Sequence, residues 1–511
     1  MSLKRNILAS YASQIYVTLV GILILPLYLK YMGAEAYGLV GFFTMLQAWF
    51  NLLDMGLTPT VARETARFSG GATDALSYRR LLRALQLIFF VVALVGGGAM
   101  FVFSGLIADS WLKVQTLPLE QVQLALQLMA FGVALRWMSG LYRGCISGSE
   151  QLVWLGGFNA FVATLRFVGL LPVLIWVGHS PAVFFTYQLF VAVVELAGLA
   201  VKAYGLFPAV PQGQQLGWSP ASLFTPIRPV LKFSLTIAFT SSVWVLVTQT
   251  DKLVLSGILP LAEYGYFTLA VLVAGGITII SGPISMVIMP RMARLYAEGN
   301  HDEVRRIYNQ AAQLVSVIAG SLAVTLIVCT ESLLFAWTGN RELTQAAAPI
   351  LQLYAIGNGL LSLGAFPYYL QYARGNLRYH LIGNLVLVVL LIPAIVVAAM
   401  KAGGIGAGWV WVGMNALYLT FWVGYVHSKL EPGLHWNWLV SNVFVILLPT
   451  LLVGLALSHF LPDVHSRMLE FVHVAAITTA CMLVAAVASP SLRPAALRGA
   501  RAWWYRNLAR P

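Results

Sequence analysis

The sequence has 511 residues, of which 59% are hydrophobic and only 10% are charged, and its mean hydropathy is +0.81. An average soluble domain carries about 25% charged residues, so this composition excludes a soluble globular protein and favours a chain embedded in lipid. The three cysteines, Cys145, Cys329 and Cys481, lie far apart, which excludes a disulfide framework and a cysteine metal motif. The N-terminal apolar run lacks a small-residue cleavage site, so we expect it to be a retained first span.

Long apolar stretches follow one another along the whole chain, and a helix crosses a bilayer with about 20 such residues. The sequence therefore predicts an all-α polytopic membrane protein with about fourteen transmembrane helices. The predicted spans are 8–30, 37–57, 83–104, 120–142, 154–177, 181–203, 230–256, 266–289, 311–336, 348–372, 380–400, 404–426, 437–460 and 469–489.

The basic residues are segregated between the two sets of loops. Of the 31 Lys and Arg residues, 23 fall on one side, five on the other and three inside the spans. Because cytoplasmic loops carry the excess of basic residues, both termini are predicted to be cytoplasmic. The expected localisation is the bacterial inner membrane. The net charge of +13 is then a signal of topology and gives no reason to expect a nucleic-acid partner.

An internal repeat appears when the sequence is compared with itself at the constant offset that places Tyr37 on Tyr264. Tyr37-Gly38 then falls on Tyr264-Gly265, and Ala66-Arg67 falls on Ala293-Arg294; Arg79 and Gln86 fall on Arg306 and Gln313. Equivalent spans cross in the same direction, so the repeat is parallel, and such repeats place a substrate site between their halves. The predicted organisation is an N-lobe at 1–204, a cytoplasmic linker at 205–229, a C-lobe at 230–430, spans 13 and 14 at 431–490 and a basic cytoplasmic tail at 491–511.

Three charged residues lie near the middle of predicted spans: Arg136 in span 4, Arg166 in span 5 and Glu195 in span 6. A charge at the bilayer centre costs at least about 2.5–3.5 kcal/mol, so each must face a cavity or a partner. One interpretation is that Arg136 and Arg166 line a polar cavity and bind phosphate, for which the guanidinium fork is well suited. The alternative is an internal ion pair, such as Arg166 with Glu195, that only fixes helix packing.

Other charged residues lie toward the ends of spans. Asp251 and Lys252 are in the outer part of span 7, and Asp54 is at the inner end of span 2. Asp251 is either a site for a coupling ion or proton or a structural partner of a basic residue, and Lys252 is expected to extend outward. Arg63 and Arg67, one helical turn apart, are either topology anchors or part of a gate that captures an anionic headgroup.

Several apparent motifs are set aside. Gly404, Gly406 and Gly408 open a span and follow no strand, so they indicate helix packing and not a dinucleotide loop. No Walker loop or nucleophile triad is present, so the chain is not expected to be an enzyme. A group of histidines clusters in sequence but is predicted to lie on opposite faces of the membrane, which argues against a metal site: His427, His435, His459, His465 and His473.

An ordered set of short motifs resembles one family. These are Tyr37-Gly38-Leu39, Leu53-Asp54-Met55-Gly56-Leu57, Arg63, Arg67, Asp251-Lys252, Glu263-Tyr264-Gly265-Tyr266, Pro290-Arg291 and Gly404-Ile405-Gly406-Ala407. Over roughly residues 3–430 they are similar to the Wzx-type flippases that export O-antigen and exopolysaccharide repeat units. That family shares a superfamily (the MOP exporters) with lipid II flippases and MATE exporters.

The resemblance implies two six-helix lobes around a cavity that opens alternately to either side. It implies an undecaprenyl-diphosphate-linked oligosaccharide as substrate, with Arg136, Arg166, Lys252, Arg63 and Arg67 on its anionic part. No cofactor is implied, and transport is expected to be coupled to a proton or sodium gradient. A polysaccharide polymerase and a chain-length regulator are the expected protein partners.

Two extra C-terminal spans resemble lipid II flippases more than the commonest polysaccharide flippases. In the lipid II flippase such spans help to form a groove for the lipid tail. Phe444, Phe460 and Phe471 are candidates for the same task here, and peripheral packing is the alternative.

Three other functions are alternatives to a flippase. A MATE-like small-molecule exporter of cations favours a cavity lined by acids, whereas the deep charges here are mainly arginines. A non-transporting scaffold for polysaccharide synthesis has no need of mid-bilayer arginines. A membrane glycosyltransferase needs a large polar loop with acidic residues, and the longest loop, about 204–229, carries none.

Overall fold

The computed structural model describes residues 3–54, 56–210, 227–279, 281–460, 466–494 and 497. Nearly all of them are helical, and this described part contains no β-strand, only an isolated bridge between Lys113 and Pro260. The chain divides into two compact units, Met1–Gly265 and Tyr266–Pro511. Most of the predicted linker (211–226) and most of the basic tail lie outside the described residues, so the predicted lobe boundaries stay predictions.

The first unit contains helices up to the start of α11, which crosses the boundary between the units. Its elements are α1 (Leu3–Met32), α2 (Ala34–Leu53), α3 (Leu57–Ser69), α4 (Ala75–Val102), α5 (Ser104–Leu106), a π-helix (Ile107–Trp111), α6 (Leu119–Gly148), α7 (Leu152–Ala163), a π-helix (Thr164–Val168), α8 (Leu170–Trp176), α9 (Pro181–Tyr204), α10 (Arg228–Ile258) and α11 (Leu261–Ile279).

The second unit continues from α11 with helices that are interrupted by three more π-helices. Its elements are α12 (Ser281–Ala297), α13 (His301–Val315), a π-helix (Ser316–Gly320), α14 (Ser321–Val328), α15 (Thr330–Thr338), α16 (Arg341–Gly364), α17 (Phe366–Ala373), α18 (Arg378–Leu417), a π-helix (Tyr418–Trp422), α19 (Val423–Leu430), α20 (Leu434–Leu439), a π-helix (Val440–Phe444), α21 (Val445–Phe460) and α22 (Arg467–Ala488).

Twelve helical segments among the described residues are long and apolar enough to cross a membrane. One of them, Arg378–Leu430, is 53 residues long and contains a break at Ala402 and Gly403, where the backbone leaves the helical conformation. This break lies between predicted spans 11 and 12. Helix α10, at the position of predicted span 7, is not among the twelve. The polytopic all-α architecture is therefore confirmed, and the count of fourteen stays a prediction.

A stripe of glycines on α6 seats α3 in the first unit. Gly140, Gly144 and Gly148 recur every four residues, so they lie along one face of α6. A Cβ on Gly148 would lie 2.2 Å from the carbonyl oxygen of Ala62, and one on Gly144 would lie 2.8 Å from that of Thr58. Small residues at this spacing let helix backbones approach closely where no hydrophobic effect drives association. The stripe fixes α6, which carries the site described below.

The start of α2 is held by the loop before α6. The carboxylate of Glu35 accepts hydrogen bonds from the backbone N–H groups of Gln115, Thr116 and Leu117 and from the Thr116 hydroxyl. Glu35 is buried. Three amides directed at one carboxylate stabilise a buried charge without a cation, so this loop is fastened over the end of α2.

The last two helices, α21 and α22, are joined to the rest of the second unit by a polar network. Gln313 on α13 donates from Nε2 to Oδ1 of Asn442 at 2.8 Å, and its Oε1 accepts from the Ser489 hydroxyl at 2.9 Å and from the backbone N–H of Ser491 at 2.9 Å. Gln313 is buried. These contacts hold Asn442, which precedes α21, and the residues after α22 against α13. They support the alternative that the C-terminal pair packs at the periphery. The three phenylalanines proposed for a lipid groove are all exposed: Phe444, Phe460 and Phe471.

Candidate functional site

Two polar pairs connect α6 to α9 in the first unit. Nη2 of Arg136 donates to Oε1 of Gln188 at 2.8 Å, and Nη2 of Arg143 donates to the carboxylate of Glu195. The partners in both pairs are 52 residues apart, so α6 and α9 run parallel in constant register. Seven residues are two turns of helix, about 10 Å, so the pairs form two rungs on one face of each helix.

Arg166 lies in the π-helix Thr164–Val168, where the wider turn leaves backbone carbonyls without their usual helical partners. Side chains satisfy these carbonyls. The Tyr28 hydroxyl donates to the carbonyl of Phe167 at 2.8 Å, and the Tyr187 hydroxyl donates to that of Leu165 at 2.8 Å. Nε2 of Gln188 donates to the carbonyl of Arg166 at 3.3 Å. Together these three contacts from α1 and α9 hold the π-helical turn that presents the Arg166 guanidinium.

Glu195 connects the Arg143–Glu195 pair to the π-helix that carries Arg166. Its Oε1 accepts from Arg143 and its Oε2 accepts from Arg166, so one carboxylate is shared by two guanidinium groups. The side chain of Glu195 is 5% exposed, against 31% for Arg143 and 23% for Arg166. Arg143 also donates to Oδ1 of Asn159. The predicted pair between Arg166 and Glu195 is therefore present, with a second arginine added to it.

Arg136 has only neutral partners among the described residues. It donates to Oε1 of Gln47 at 2.9 Å and to Gln188, and its guanidinium lies 5.0 Å from the ring centre of Phe43. The Nε atoms of Arg136 and Arg166 are buried and have no hydrogen-bond partner in this described part of the chain. Arg136, Arg143, Arg166 and Glu195 form a group that we call the arginine cluster. Its three guanidinium groups and one carboxylate give it two formal positive charges in excess.

A cavity of about 340 Å³ opens beside this cluster, inside the first unit. Arg143, Arg166, Glu195 and Asn159 line it, and α1 contributes further polar side chains, Ser13, Gln14 and Thr18. Arg136 is not among its lining residues and lies one rung away. The cavity is large enough for a single sugar or phosphate group and presents guanidinium donors that match an anion. The predicted cavity shared by Arg136 and Arg166 between the lobes stays a prediction.

The family described as polysaccharide biosynthesis protein matches residues 3–296, which is more than half of the chain. The chain belongs to this polysaccharide biosynthesis family. The family predicted from the sequence motifs is thereby confirmed. Among curated proteins, none matches the chain significantly.

Solved structures share the fold of this family member. Lipid II flippase MurJ, in an inward closed conformation, has a TM-score of 0.68 at 13% identity over all of both chains. An inward-facing multidrug resistance MATE transporter of the MOP superfamily has a TM-score of 0.62 at 16% identity, covering 82% of this chain and 96% of its own. The MATE multidrug transporter DinF-BH has a TM-score of 0.56 at 14% identity, covering 82% and 95%. At these identities the similarity establishes the MOP transporter fold.

The arginine cluster is confined to the first half of this polysaccharide biosynthesis family member. In the repeat register that places Tyr37 on Tyr264, the positions equivalent to Arg136, Arg143, Arg166 and Glu195 carry apolar residues. These are Leu363, Leu370, Pro393 and Trp422. In this register the deep positive charge is a property of the first half, and the superposition of the two halves stays a prediction.

The remaining predicted acidic residues have local partners. Asp54 accepts from the hydroxyl and the backbone N–H of Thr58, at 2.6 and 3.2 Å, and so caps the start of α3. Asp251 is buried, and its Oδ1 lies 3.5 Å from Nζ of Lys252. Lys252 donates to the carbonyl of Thr248 at 2.6 Å, toward the N-terminal end of α10 and not toward its outer end. Asp54, Asp251 and Lys252 are not members of the arginine cluster.

Arg63 and Arg67 form a separate group on α3. Nη1 of Arg63 and Nη1 of Arg67 lie 3.6 and 3.3 Å from the carboxylate of Glu64. Glu64 is buried, whereas both arginine side chains are nearly half exposed. This geometry suits an exposed basic patch at the end of span 2, and a role in binding a headgroup stays a prediction.

Three members of the site were not predicted from the sequence: Arg143, Gln47 and Gln188. The segregation of basic residues assigns Arg143 to the loops on the basic side, but it lies within α6 and pairs with Glu195. A signal was available, because the spacing between Arg136 and Arg143 equals that between Gln188 and Glu195. Matched seven-residue spacings on two spans are what parallel facing helices require.

One prediction about histidines is wrong. His427 and His435 do not cluster in sequence alone, because their Nδ1 atoms lie 3.2 Å apart, and Nε2 of His427 lies 2.7 Å from the Tyr308 hydroxyl. The chain turns back between α19 and α20, which brings the two rings together. The described residues hold no group of three or more metal-binding side chains, and His465 lies outside them.

Proposed function

We propose that this protein is a flippase for lipid-linked oligosaccharides, which moves undecaprenyl-diphosphate-linked repeat units from the cytoplasmic to the periplasmic leaflet by alternating access. The product serves O-antigen or exopolysaccharide assembly. The family and the transporter fold support the class. The observation that carries the substrate is the arginine cluster, which places excess positive charge inside membrane-spanning helices.

The chemistry of the cluster fits an anionic cargo. A polyprenyl diphosphate must bring its charged group through the depth of the bilayer, where water is scarce. Guanidinium groups replace the hydration of phosphate with fixed, charge-assisted hydrogen bonds. Arg143 and Arg166 line a cavity, and Arg136 is held one rung away by two neutral amides. The prenyl tail stays in lipid, as expected for a flippase.

The same charges argue against a cation exporter. A cationic drug that enters this cavity meets two arginines, Arg143 and Arg166. The one carboxylate in the cavity, that of Glu195, is already paired with both of them. Bringing like charges close together in a poorly solvated site costs several kcal/mol, as it does when like charges meet at a protein interface. A fold similar to that of MATE transporters therefore does not by itself imply a cationic substrate.

Translocation also needs a source of energy and partner proteins that use its product. Asp251, buried on α10, is the proposed coupling residue for a proton or sodium gradient, since the arginines occupy Glu195. A polymerase and a chain-length regulator are the proposed partners, because the translocated repeat unit must be polymerised in the periplasm.

Export by a deletion strain tests this function. Plasmids carrying wild type, Arg143→Gln, Arg166→Gln or Arg136→Gln are compared for surface polysaccharide at equal protein level. We expect the Gln variants to lose export and the matching Lys variants to retain part of it, since Lys keeps the charge without the bidentate fork. Arg305→Gln is the control, because Arg305 also pairs with a glutamate, Glu431, but lies in the second unit. Full export by the Arg143→Gln, Arg166→Gln double variant would refute the proposal.

A further inference from the structure

Glu195 pairs with both arginines that line the cavity. Its two carboxylate oxygens each accept from a different guanidinium, Arg143 on α6 and Arg166 on the π-helix, and all three side chains line the same cavity. The carboxylate is almost fully buried, at 5% exposure. A bridging carboxylate of this kind uses the same N–H donors that a phosphate or a sugar carboxylate needs.

We propose that Glu195 is a resident counter-ion that competes with the anionic group of the cargo for Arg143 and Arg166. This inference rests on the proposed function and specifies how the binding site is regulated. While the site is empty, Glu195 holds the two guanidinium groups inside the lobe. When cargo enters, its anion takes over these donors, and Glu195 is released from them.

The need for a counter-ion follows from the depth of the site. Without Glu195, three guanidinium groups would lie within membrane-spanning helices with no carboxylate paired to them in the described part of the chain. Uncompensated buried charges of this kind are strongly destabilising. Arg136 differs from the other two, because Gln47 and Gln188 hold it and neither of them competes as an anion.

Competition between Glu195 and the anionic group of the cargo also provides a way to release the cargo. Several guanidinium groups around a diphosphate would bind it too tightly for rapid transport, since binding energy that is equal in both states of a cycle does not help turnover. A carboxylate on the same lobe displaces the cargo when the site opens to the other side. The affinity for cargo is thereby lowered by the fraction of sites in which Glu195 already holds the arginines.

Ligand binding by the purified full-length protein in lipid nanodiscs tests this inference. The probe is farnesyl diphosphate, with farnesol as the uncharged comparison. We expect Glu195→Gln to bind farnesyl diphosphate roughly tenfold more tightly than wild type, because the competitor is removed. The matched control is Glu431→Gln, which removes a carboxylate shared by Arg305 and Arg374 in the second unit and should leave the affinity unchanged.

A second variant covers a failure of Glu195→Gln to fold. Glu195→Asp keeps the charge but shortens the side chain by one methylene, so we expect it not to reach both guanidinium groups. Its affinity for farnesyl diphosphate should lie between that of wild type and that of Glu195→Gln. Equal or weaker binding by folded Glu195 variants overturns the inference, and the proposed function stands if wild type prefers farnesyl diphosphate to farnesol. If no variant distinguishes the two probes, both the inference and the proposed function fail.

Discussion

Gly38 and Gly265, which are equivalent positions of the internal repeat, pack their backbones against each other at the starts of α2 and α11. A Cβ on Gly38 would lie 2.0 Å from the carbonyl oxygen of Leu261, and one on Gly265 would lie 2.9 Å from that of Ala34. Ala34 and Leu261 are also equivalent positions of the repeat, so the contact is reciprocal. The repeated Tyr-Gly motif therefore marks a point where two equivalent helix starts meet.

Replacing Gly38 with Ala should destabilise the protein. The added methyl group overlaps a backbone carbonyl that cannot move aside as a flexible side chain would, and overpacking of this kind costs about 1–3 kcal/mol. The measurement is the apparent free energy of unfolding in mixed micelles. Gly276→Ala in α11 is the control, because a Cβ there meets none of the described atoms within 4 Å and Ala favours helix. Equal stability of the two variants would contradict the close contact.

Gln313→Met should loosen the C-terminal helix pair. Met has a similar volume, but it leaves the buried Asn442 amide and the Ser489 hydroxyl without their partner, at about 1–3 kcal/mol for each unsatisfied group. The check is the unfolding free energy together with protease sensitivity near α21 and α22. Gln352→Met, an exposed glutamine that donates to the Ile327 carbonyl, serves as control. Stability equal to the control would show that the network does not hold the pair.

Gln188→Met should lower stability even though all three arginines remain. Gln188 accepts from Arg136 and donates to the carbonyl of Arg166, so its loss leaves a buried charged donor and a backbone acceptor unsatisfied. The expected decrease in unfolding free energy is about 1–3 kcal/mol. The exposed Gln123 on α6, changed to Met, provides the comparison. An unchanged unfolding free energy for Gln188→Met would mean that this rung is not formed.

Both termini are predicted to be cytoplasmic, from the segregation of Lys and Arg between the loops. Green fluorescent protein fused after Pro511 should be bright, and alkaline phosphatase fused there should be inactive. A phosphatase fusion after Asn340, in a loop predicted to be periplasmic, should be active and controls for expression. An active phosphatase at Pro511 would mean an odd number of spans and would overturn the topology.

Hydropathy and loop charge predict the architecture because bilayer thickness imposes helix length. The break at Ala402 and Gly403 falls in the short gap left between predicted spans 11 and 12. Helix ends are predicted less well. Helix α4 begins at Ala75, not near residue 83, because the Asp74 side chain accepts from the Ser77 N–H and caps the helix outside the apolar stretch. Hydropathy reports only the part of a helix that meets lipid.

The site was predicted in part for a similar reason. Arg136, Arg166 and Glu195 stand out because mid-span charges are rare. Arg143 does not, because it lies near a span end where topology alone accounts for an arginine. Partner choice depends on how each helix is rotated, and the π-helix at Thr164–Val168 sets that rotation for Arg166. A single sequence carries no clear signal for such a turn.

Transport by the purified protein in proteoliposomes is the most direct test of the central claim, that the arginine cluster carries the anionic cargo. The substrate is a polyprenyl diphosphate bearing a fluorescent sugar, and the readout is its loss from the outer leaflet. Wild type should translocate it, and the Arg143→Gln, Arg166→Gln double variant should be slower by about tenfold or more, as expected when charge-assisted hydrogen bonds worth about 1.4 kcal/mol or more are lost. Translocation by the folded double variant at the wild-type rate would contradict the account.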